Sequence, residues 1–557
     1  MTTATLNSEV RETTHHGAHQ CAVLDEAHVG DIKGAFGTIK LDDDGARRGL
    51  SAKLKTLLAI VGPGLIVMVG DNDAGAFATY GQAGHDFGTK LLWTLLLLVP
   101  VLYVNQEMVL RLGAVTGVGH ARLIFERFGT FWGAFSVIDL FLLNALTLVT
   151  EFIGITLATS YLGLPKVPSV LMAALVIVAA AMSGSFQRFE RIALTLCVGS
   201  LLLIPISIMA HPSAGTMAHG FVTPALPGGS GHMATVMLVV IGIVGTTVAP
   251  WQLFFQQSYV IDKRITPRFM KYEKADLGIG IVVVVVGAAA TIGLGAVAAA
   301  HLSGSFTDAA DVARGLTVYG GRVLGDMFAV ALLDASIIGA FAVSLSTAYA
   351  MGDCFKINHS LHRGVKQAKG FYAVYAGIIA FAATIVLVAS DHVQGVLTVG
   401  VQALAGVLLP SASVYLLLLC VDKHVLGPWV NNRRTTVFTG GVIAVLVALS
   451  LVLTGSVLDQ NITAGQIEAI LAGCAVVALA FGAWLGVKAL RARRAPGYVA
   501  ETIDRSGRDE WRTPPLAQLG QVRFSTGTRV GLAVLRTYLA VATVLVVVKL
   551  VSMMLGH

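Results

Sequence analysis

The stretch GPGLIVMVGDNDAGAFATYG, residues 62–81, lies inside an apolar run long enough to cross a membrane. It places Asp71 and Asp73 near the middle of that run, with Asn72 between them and glycines on both sides. An ionised side chain at the centre of a lipid-embedded helix costs about 2.5–3.5 kcal/mol even on the mildest insertion scale. The stretch therefore predicts a membrane helix that is interrupted at a polar site.

The composition is that of a polytopic membrane protein. Of the 557 residues, 55% are hydrophobic and 13% are charged, and the mean hydropathy is +0.76. Soluble domains carry about 25% charged residues. The pI near 9.1 requires no nucleic acid partner, because basic loops orient membrane helices. The five cysteines form no CxxC pair, so no thiolate metal site is predicted. Residues 1–55 are predicted to be a disordered cytoplasmic tail.

Apolar runs of about twenty residues predict twelve membrane-spanning helices. They lie near residues 56–83, 91–113, 131–161, 169–184, 190–210, 233–259, 277–301, 326–351, 371–390, 395–421, 436–455 and 466–488. A thirteenth run, near 530–555, is interrupted by Arg536 and Lys549. This last helix either crosses the membrane or lies along its interface.

Basic residues are distributed unevenly between the two sides of these spans. With the N-terminus inside, the inner loops hold seventeen: Arg111, Arg122, Arg127, Arg188, Arg191, Lys263, Arg264, Arg268, Lys271, Lys274, Lys356, Arg363, Lys366, Lys369, Lys423, Arg433 and Arg434. The outer loops hold four, Lys90, Lys166, Arg314 and Arg322. The positive-inside rule then predicts a multi-pass protein of the cell (inner) membrane with a cytoplasmic N-terminus.

The sixth span is interrupted like the first. Its sequence GIVGTTVAPWQLFFQQS, residues 242–258, places Gly245 and Pro250 in the middle of the membrane. Interrupted helices in corresponding places indicate a transporter built from inverted repeats, with its site at the two breaks. We therefore predict an all-α membrane protein with five-helix repeats over 56–210 and 233–421. Two extra spans follow over 436–488, and a basic C-terminal segment occupies 489–557.

Polar groups at the two breaks predict a cation site. Carbonyls freed by unwound backbone, together with the carboxylates of Asp71 and Asp73, are hard oxygen ligands. Glu151 has no basic residue within a turn or two, so it is expected to face a cavity or a cation. Gln402 in the tenth span is a neutral oxygen donor or an interhelical contact. In the alternative interpretation, one aspartate caps the second half-helix and the other pairs with a buried partner.

These residues resemble the NRAMP divalent metal transporters, whose first span carries GPG, DPGN, a FAT-like run and QAG. The corresponding positions here are 62–64, 73–76, 77–79 and 82–84. Further matches are RLGAVTG at 111–117, TEFIG at 150–154, GTTVAPWQL at 245–253, and Gln402 with Pro410. The resemblance covers roughly residues 55–455. It implies a LeuT-type fold of five plus five helices in which the first and sixth are broken.

The chain departs from the family pattern at four positions. The resemblance implies Asp73 and the Thr246 carbonyl as metal ligands, but the family's asparagine and methionine are Ala76 and Ala249 here. A thioether is a soft ligand that suits transition metals, whereas oxygen ligands and retained waters suit Mg²⁺. Trp251 and Leu148 replace titratable residues of the family's proton route. This combination is similar to the NRAMP-related magnesium transporters, which carry Mg²⁺ and Mn²⁺ without proton coupling.

The resulting hypothesis is an alternating-access importer of largely hydrated Mg²⁺, and of Mn²⁺ as well, without proton coupling and without a cofactor. The expected ion-contacting residues, direct or through water, are Asp73, Asp71, Asn72, Thr246, Gln252 and Gln402. Glu151 would add charge along the path, and Ala249, Trp251 and Ala76 would shape the cavity.

Two other functions stay open at this point. One is proton-coupled Mn²⁺/Fe²⁺ uptake, in which Glu151 replaces the lost titratable groups. The other is a cation-coupled organic-solute symporter of the same fold. An enzyme has no supporting motif. The expected partners are divalent metal ions and the lipid bilayer, without nucleic acid, and the sequence leaves the oligomeric state open, a monomer included.

Overall fold

The structure is a computed structural model that describes residues 22–227, 233–302, 304–459, 462–494, 503–522 and 524–554. Nearly all of the described chain is helical. In chain order the helices are α1 (Leu50–Ile60), α2 (Pro63–Val69), α3 (Ala74–Phe87), α4 (Leu92–Thr116), α5 (His120–Phe128), α6 (Thr130–Tyr161), α7 (Lys166–Ala181), α8 (Phe186–Gly199), α9 (Leu203–Ala210), α10 (Ala214–Val222), α11 (Met233–Thr247), α12 (Pro250–Asp262), α13 (Met270–Ala299), α14 (Ala310–Gly320), α15 (Arg322–Phe355), α16 (Lys369–Val388), α17 (Asp391–Cys420), α18 (Lys423–Leu426), α19 (Arg433–Leu458), α20 (Ala464–Arg494) and α21 (Thr526–Met554).

The helices agree with the predicted membrane spans. Within the described ranges, eleven helices are long and apolar enough to cross a membrane, or twelve if the bent pair α1–α2 is one span. Helix α7 is apolar but shorter, with 16 residues. The thirteenth predicted run forms α21, which packs against α17 and α19. The chain is therefore an all-α polytopic membrane protein, as predicted.

Both predicted breaks are present in the helices. In the first span, α2 ends at Val69 and α3 begins at Ala74. In the sixth, α11 ends at Thr247 and α12 begins at Pro250. Proline has no N–H, so Pro250 cannot donate the helical hydrogen bond that the Thr246 carbonyl would otherwise accept. The sequence thus deprives the Thr246 carbonyl of its helical partner at the break in the sixth span.

Close helix contacts hold the two broken spans against the rest of the bundle. Helix α13 packs along α2 and α3, α15 along α6, and α11 along α17. A Cβ atom on Gly245 would overlap the backbone carbonyl of Gln402 and would stand 2.5 Å from the Gly406 nitrogen. Helices α11 and α17 therefore touch backbone to backbone, which places Gln402 beside the break in α11–α12.

The N-terminal segment differs from the expected disordered tail of residues 1–55. A 3₁₀ turn at Glu26–His28 leads into a hairpin of β1 (Ile32–Gly34) and β2 (Gly37–Ile39). Helix α1 then begins at Leu50 rather than near residue 56. Local sequence gave no sign of this order because the segment is held by groups far along the chain. The expectation for residues 1–21 lies outside the described residues.

Candidate metal site between the two interrupted helices

A chain of three side chains leads from α4 to the first break. The amide nitrogen of Gln106 donates to the side-chain oxygen of Gln252 over 2.7 Å. The amide nitrogen of Gln252 in turn donates a hydrogen bond to Oδ1 of Asp71. All three residues are buried. Gln252 therefore supports the Asp71 carboxylate and does not present its own oxygen to an ion in this arrangement.

Asp73 and Glu151 form a carboxyl pair at the start of α3. Asp73 is the N-cap of that helix, and its Oδ1 accepts a hydrogen bond of 2.8 Å from the Ala76 nitrogen. Oε2 of Glu151 accepts from the Ala74 nitrogen over 3.2 Å. The two side chains lie side by side, since both face Gly339 on α15. Adjacent buried carboxylates repel when both are ionised, so the pair suits a cation or a shared proton.

A glycine on α15 makes room for this pair. A Cβ atom at Gly339 would stand 2.6 Å from Oε2 of Glu151 and 2.9 Å from Cβ of Asp73. Any side chain at position 339 would therefore displace one of the carboxyl groups. The opposite side is equally tight, because a Cβ atom at Gly75 would overlap the side-chain amide of Gln402. The site is a close-packed arrangement of four elements, α3, α6, α15 and α17.

Asn72 turns toward the seventh span rather than toward the carboxyl pair. Its amide nitrogen donates to the Val284 carbonyl over 3.2 Å, beside Gly287 of α13. Thr246 lies at the end of α11, where its side chain is buried. Tyr80 connects the two broken spans, since its hydroxyl is 2.7 Å from the Thr247 hydroxyl. Asn72 is thus the predicted site residue that the structure separates most clearly from the others.

Several buried polar atoms at the breaks have no hydrogen-bond partner among the described residues. They are Oδ2 of Asp71, Oδ1 of Asn72, Oε1 of Glu151, Oγ1 of Thr246 and Nε2 of Gln402. Leaving a buried polar group unpaired costs about 1–3 kcal/mol, more when it is charged. Four of these five atoms are oxygens, which is the donor set that an ion or its hydration waters would use.

The three residues predicted to shape the cavity, Ala249, Trp251 and Ala76, are all buried at or beside the two breaks. Ala249 is buried in the gap between α11 and α12, with extended backbone. The Trp251 ring approaches to within 3.7 Å of a Cβ atom placed on Gly70, just before Asp71, and the Trp251 carbonyl accepts from Ser346 over 2.9 Å. The Ala76 nitrogen is used by Asp73. Position 249 therefore contributes only a methyl group to the site.

The two ends of the bundle differ in how they close over the site. A narrow pocket reaches Ala74 from the end that holds Phe306 and Asp308. We call the other end, where the N-terminal hairpin lies, the basic end. Between the site and the basic end, aromatic rings fill the space, with Phe255 and Tyr259 stacked at 5.1 Å and Phe189 against Phe341 at 5.4 Å. The site is thus closed toward the basic end.

Sequence reasoning missed Gln106 and Gly339. Gln106 stands in the run NQE within an otherwise apolar second span, and this polar cluster was the available signal. Gly339 gave none, because a glycine in an apolar helix has many explanations. Within the described ranges, no group of three or more His, Cys, Asp or Glu side chains has the geometry to hold a metal ion.

Two interrupted helices that enclose a buried acidic site define the class of this protein: it is a membrane transporter. Residues 64–456 match the family model described as natural resistance-associated macrophage protein-like, so the chain belongs to the Nramp family of divalent metal transporters. The fold is accordingly the LeuT-type fold predicted from the sequence, and the protein is a transporter and not an enzyme.

Similar proteins cover most of the chain. It is 29% identical over 427 residues to a divalent metal cation transporter MntH of Ralstonia nicotianae, covering 72% of this chain and 92% of that protein. A protein of the same name from Burkholderia ambifaria is 27% identical over 437 residues, covering 75% and 92%. The crystal structure of an Eremococcus coleocola manganese transporter with a bound aromatic bis-isothiourea compound superposes with a TM-score of 0.59. It shares 19% identity, and the match covers 82% of this chain and 99% of that one.

Proposed function

We propose that this protein imports Mg²⁺, and Mn²⁺ as well, by alternating access and without proton coupling. The observation that carries this proposal is Ala249 in the gap of the sixth span, buried beside an acidic, oxygen-rich site. The family pattern has a methionine there, whose sulfur favours transition metals. A methyl group removes that preference and leaves space for a water molecule.

The donor set supports an ion that keeps part of its hydration shell. Asp73 would be the central ligand, with Asp71 and the Thr246 carbonyl contacting the ion directly or through water. Among the described residues, Nε2 of Gln402 and Oδ1 of Asn72 have no hydrogen-bond partner. A hydration water could bind to each of these atoms. Mg²⁺ gives up its waters reluctantly and is usually held by one or two carboxylates. A site with few charged ligands and several free oxygens therefore fits it.

The membrane potential provides enough driving force for uptake. A divalent ion gains about 4.6 kcal/mol per 100 mV, since each elementary charge contributes about 2.3 kcal/mol. Trp251 and Leu148 occupy places where the family pattern has titratable groups, and both are buried apolar residues. We further propose that the basic end faces the cytoplasm and that the protein lies in the inner membrane. The shared fold of the Eremococcus coleocola manganese transporter supports Mn²⁺ as one of the ions.

Proton-coupled Mn²⁺/Fe²⁺ uptake is the second candidate, and the contact between Asp73 and Glu151 favours it. A carboxyl pair that shares a proton would release it when a cation binds, which could couple the two movements. Glu151 would then replace the lost titratable residues of the family pattern. The two candidates differ in whether internal pH changes during metal uptake.

Uptake into proteoliposomes separates these candidates. Vesicles that hold the protein would receive Mg²⁺, Mn²⁺, Fe²⁺ or Ca²⁺ at a set inside-negative potential, while internal pH is followed with a trapped dye. We expect Mg²⁺ and Mn²⁺ uptake without acidification, and no uptake with Asp73→Asn. Metal-dependent acidification at clamped potential would overturn the proton-independent proposal. Absence of Mg²⁺ uptake beside strong Mn²⁺ uptake would overturn the choice of ion.

A further inference from the structure

The segment of residues 22–49 packs directly on α1, the helix that begins the first span. A Cβ atom placed on Gly37 would stand 3.2 Å from the Ala59 Cβ atom on α1. At Gly34 the approach is closer still, because a Cβ atom there would overlap the Ala59 carbonyl oxygen. The hairpin and the last turn of α1 therefore form one packed unit.

The turn of the hairpin is fixed to α8. The Ala35 nitrogen donates to Oε2 of Glu190 over 2.6 Å, and the Ala35 carbonyl accepts from Nε of Arg191 over 3.0 Å. The Gly34 carbonyl accepts from Nε2 of Gln187 over 2.9 Å. Two consecutive backbone residues thus use three hydrogen bonds to one helix. The hairpin links α1 to α8.

A buried ion pair adds α12 to this unit. Nζ of Lys263 lies 2.7 Å from Oε1 of Glu190, and both side chains are fully buried. The same ammonium group donates to the carbonyls of Ile60 over 2.6 Å and Val61 over 2.8 Å. These carbonyls end α1, where the helix leaves them without a helical partner. Removing one member of such a pair strands a buried charge, which is strongly destabilising.

The turn before the hairpin is fixed to the loop that joins α15 and α16. Nε of Arg363 donates to Oδ1 of Asp25 over 3.0 Å, and the His359 nitrogen donates to Oδ2 over 3.2 Å. His28 lies against the same loop, with Nε2 at 3.2 Å from the His359 carbonyl. It also faces Asp262 at the end of α12, at 3.7 Å. The segment therefore bridges α1, α8, α12 and the α15–α16 loop.

These are the elements between which the path to the basic end would open. The aromatic rings that close this path belong to α8, α12 and α15. An ion can leave the site toward the basic end only if these three helices and α1 move apart. Residues 22–49 hold all of them together, so separation requires that at least one set of their contacts break.

We propose that residues 22–49 form a latch that holds the basic end of the transport path closed and that is released once in each transport cycle. The proposal rests on alternating access, but it does not depend on which ion is carried or on proton coupling. Asp25 with Arg363 is the contact between the latch and the α15–α16 loop, and it can be altered without touching the metal site.

The test measures access to a residue behind the latch. Ser258 is buried and lines a small cavity together with His28 and His359. We would place Ser258→Cys in a chain whose five native cysteines are replaced by alanine, and follow its reaction with a water-soluble maleimide in detergent, without added metal. Asp25→Asn should speed labelling about tenfold, which corresponds to about 1.4 kcal/mol in favour of the open form. Asp42→Asn, an exposed change on the same segment, should label like the parent.

Exchange of the two charges, Asp25→Arg with Arg363→Asp, should bring the labelling rate back toward that of the parent. Such a recovery would show that faster labelling of Asp25→Asn does not come from a general folding defect. Equal labelling in the parent, Asp25→Asn and Asp42→Asn would overturn the proposal. A second measurement uses proteoliposomes in which Mg²⁺ or Mn²⁺ uptake is driven by potential. Labelling of the parent should be faster during turnover. Unchanged labelling during measurable uptake would show that the latch stays closed throughout the cycle and would overturn the proposed release. Because the detergent measurement needs no metal, it stands even if the proposed ion is wrong.

Discussion

The side-chain amide of Gln106 determines which way Gln252 faces. Gln106 donates to the oxygen of Gln252 over 2.7 Å, so only the nitrogen of Gln252 remains to meet Asp71. A glutamine amide can otherwise turn by 180° and offer either group. A residue on the second span, one step removed from the broken helices, thus sets the hydrogen bond that stabilises the Asp71 carboxylate.

Changes at Gln106 should therefore alter ion binding through Gln252. Gln106→Leu removes the donor and frees the amide, and we expect apparent metal affinity to fall about fivefold, or about 1 kcal/mol. Gln106→Glu should be more harmful, because its carboxylate accepts from the Gln252 nitrogen and turns the Gln252 oxygen toward Asp71. The measurement is concentration-dependent uptake in proteoliposomes. Equal affinities in both variants and the parent would show that the orientation of Gln252 has no effect.

Asp73 has two separable roles, as helix cap and as charge. Asp73→Asn should abolish metal transport while leaving thermal stability near the parental value, because asparagine caps helices as well as aspartate does. Asp73→Ala should also abolish transport and should lower stability by about 1 kcal/mol, since it removes the hydrogen bond to the Ala76 nitrogen. Asp71→Asn is expected to weaken transport less. Parental uptake by Asp73→Asn would mean that the ion site lies elsewhere.

Gly339 is expected to tolerate no side chain. Gly339→Ala would place a methyl group 2.6 Å from Glu151 and should reduce transport strongly by separating Glu151 from Asp73. The matched control is Gly377→Ala on α16, where nothing lies within 4 Å of the new Cβ atom. This control should transport normally and fold as stably or more so, because alanine favours helices by about 0.5–1 kcal/mol. Equal uptake by the two variants would contradict the packing argument.

The identity of residue 249 is expected to set ion preference. Ala249→Met places a thioether where a hydration water would stand, so it should slow Mg²⁺ uptake and strengthen Mn²⁺ or Cd²⁺ binding. A tenfold change in relative affinity corresponds to about 1.4 kcal/mol. Adding Ala76→Asn should shift the preference further in the same direction. Competition of Mg²⁺ against Mn²⁺ uptake measures this, and parental selectivity in both variants would place the selection of ions elsewhere.

Two buried histidines should give the latch a pH optimum. Burial would lower the pKa of His359, but the hydrogen bond and charge of Asp353 outweigh it and raise the pKa to about 9. Burial lowers the pKa of His28 despite the attraction of Asp262. The charged and titratable groups around the two rings are Asp25, Asp262, Asp353, His362, Arg264 and Arg363.

The two shifts act in opposite directions. The contribution of His359 to the stability of the closed latch is complete below its unfolded pKa of about 6.5. It is lost as the pH rises through 9. The contribution of His28 is lost as the pH falls below about 6.5, because the unfolded ring then takes up a proton more readily. Because maleimide reacts only with the thiolate, each labelling rate is divided by that of a free thiol at the same pH. This relative labelling of Ser258→Cys should be slowest near neutral pH. His359→Gln should remove the alkaline rise alone, and a rise that persists in this variant would assign it to another group.

The pattern of apolar runs and breaks was sufficient to predict the helical fold. Gly62, Pro63 and Pro250 interrupt helices for reasons that belong to the residues themselves, and Asp73 is a preferred N-cap. Such features are local, so they can be read from one sequence. The grouping of Asp71, Asp73, Glu151 and Gln402 was also predictable, because polar residues deep in apolar spans must face one another or a cavity.

The orientation of side chains within the site could not be predicted in this way. Asn72 turns to α13 and Gln252 turns its nitrogen to Asp71, and each choice depends on a partner in a distant span. The N-terminal hairpin was missed for the same reason. Its polar sequence resembles a disordered tail, but Asp25 and Ala35 find partners 338 and 155 residues away.

The sequence distance between the latch and its partners has a consequence for biosynthesis. Ribosomes add about 5–20 residues per second, so Arg363 is synthesised roughly 20–70 s after Asp25. The Ala22 nitrogen also donates to the carbonyl of Thr513, over 3.2 Å, and Thr513 is made still later. During that interval the hairpin has no completed binding surface and its exposed backbone is open to chaperones and proteases. The hairpin, which stands near the start of the described residues, is thus among the last elements to reach its native position.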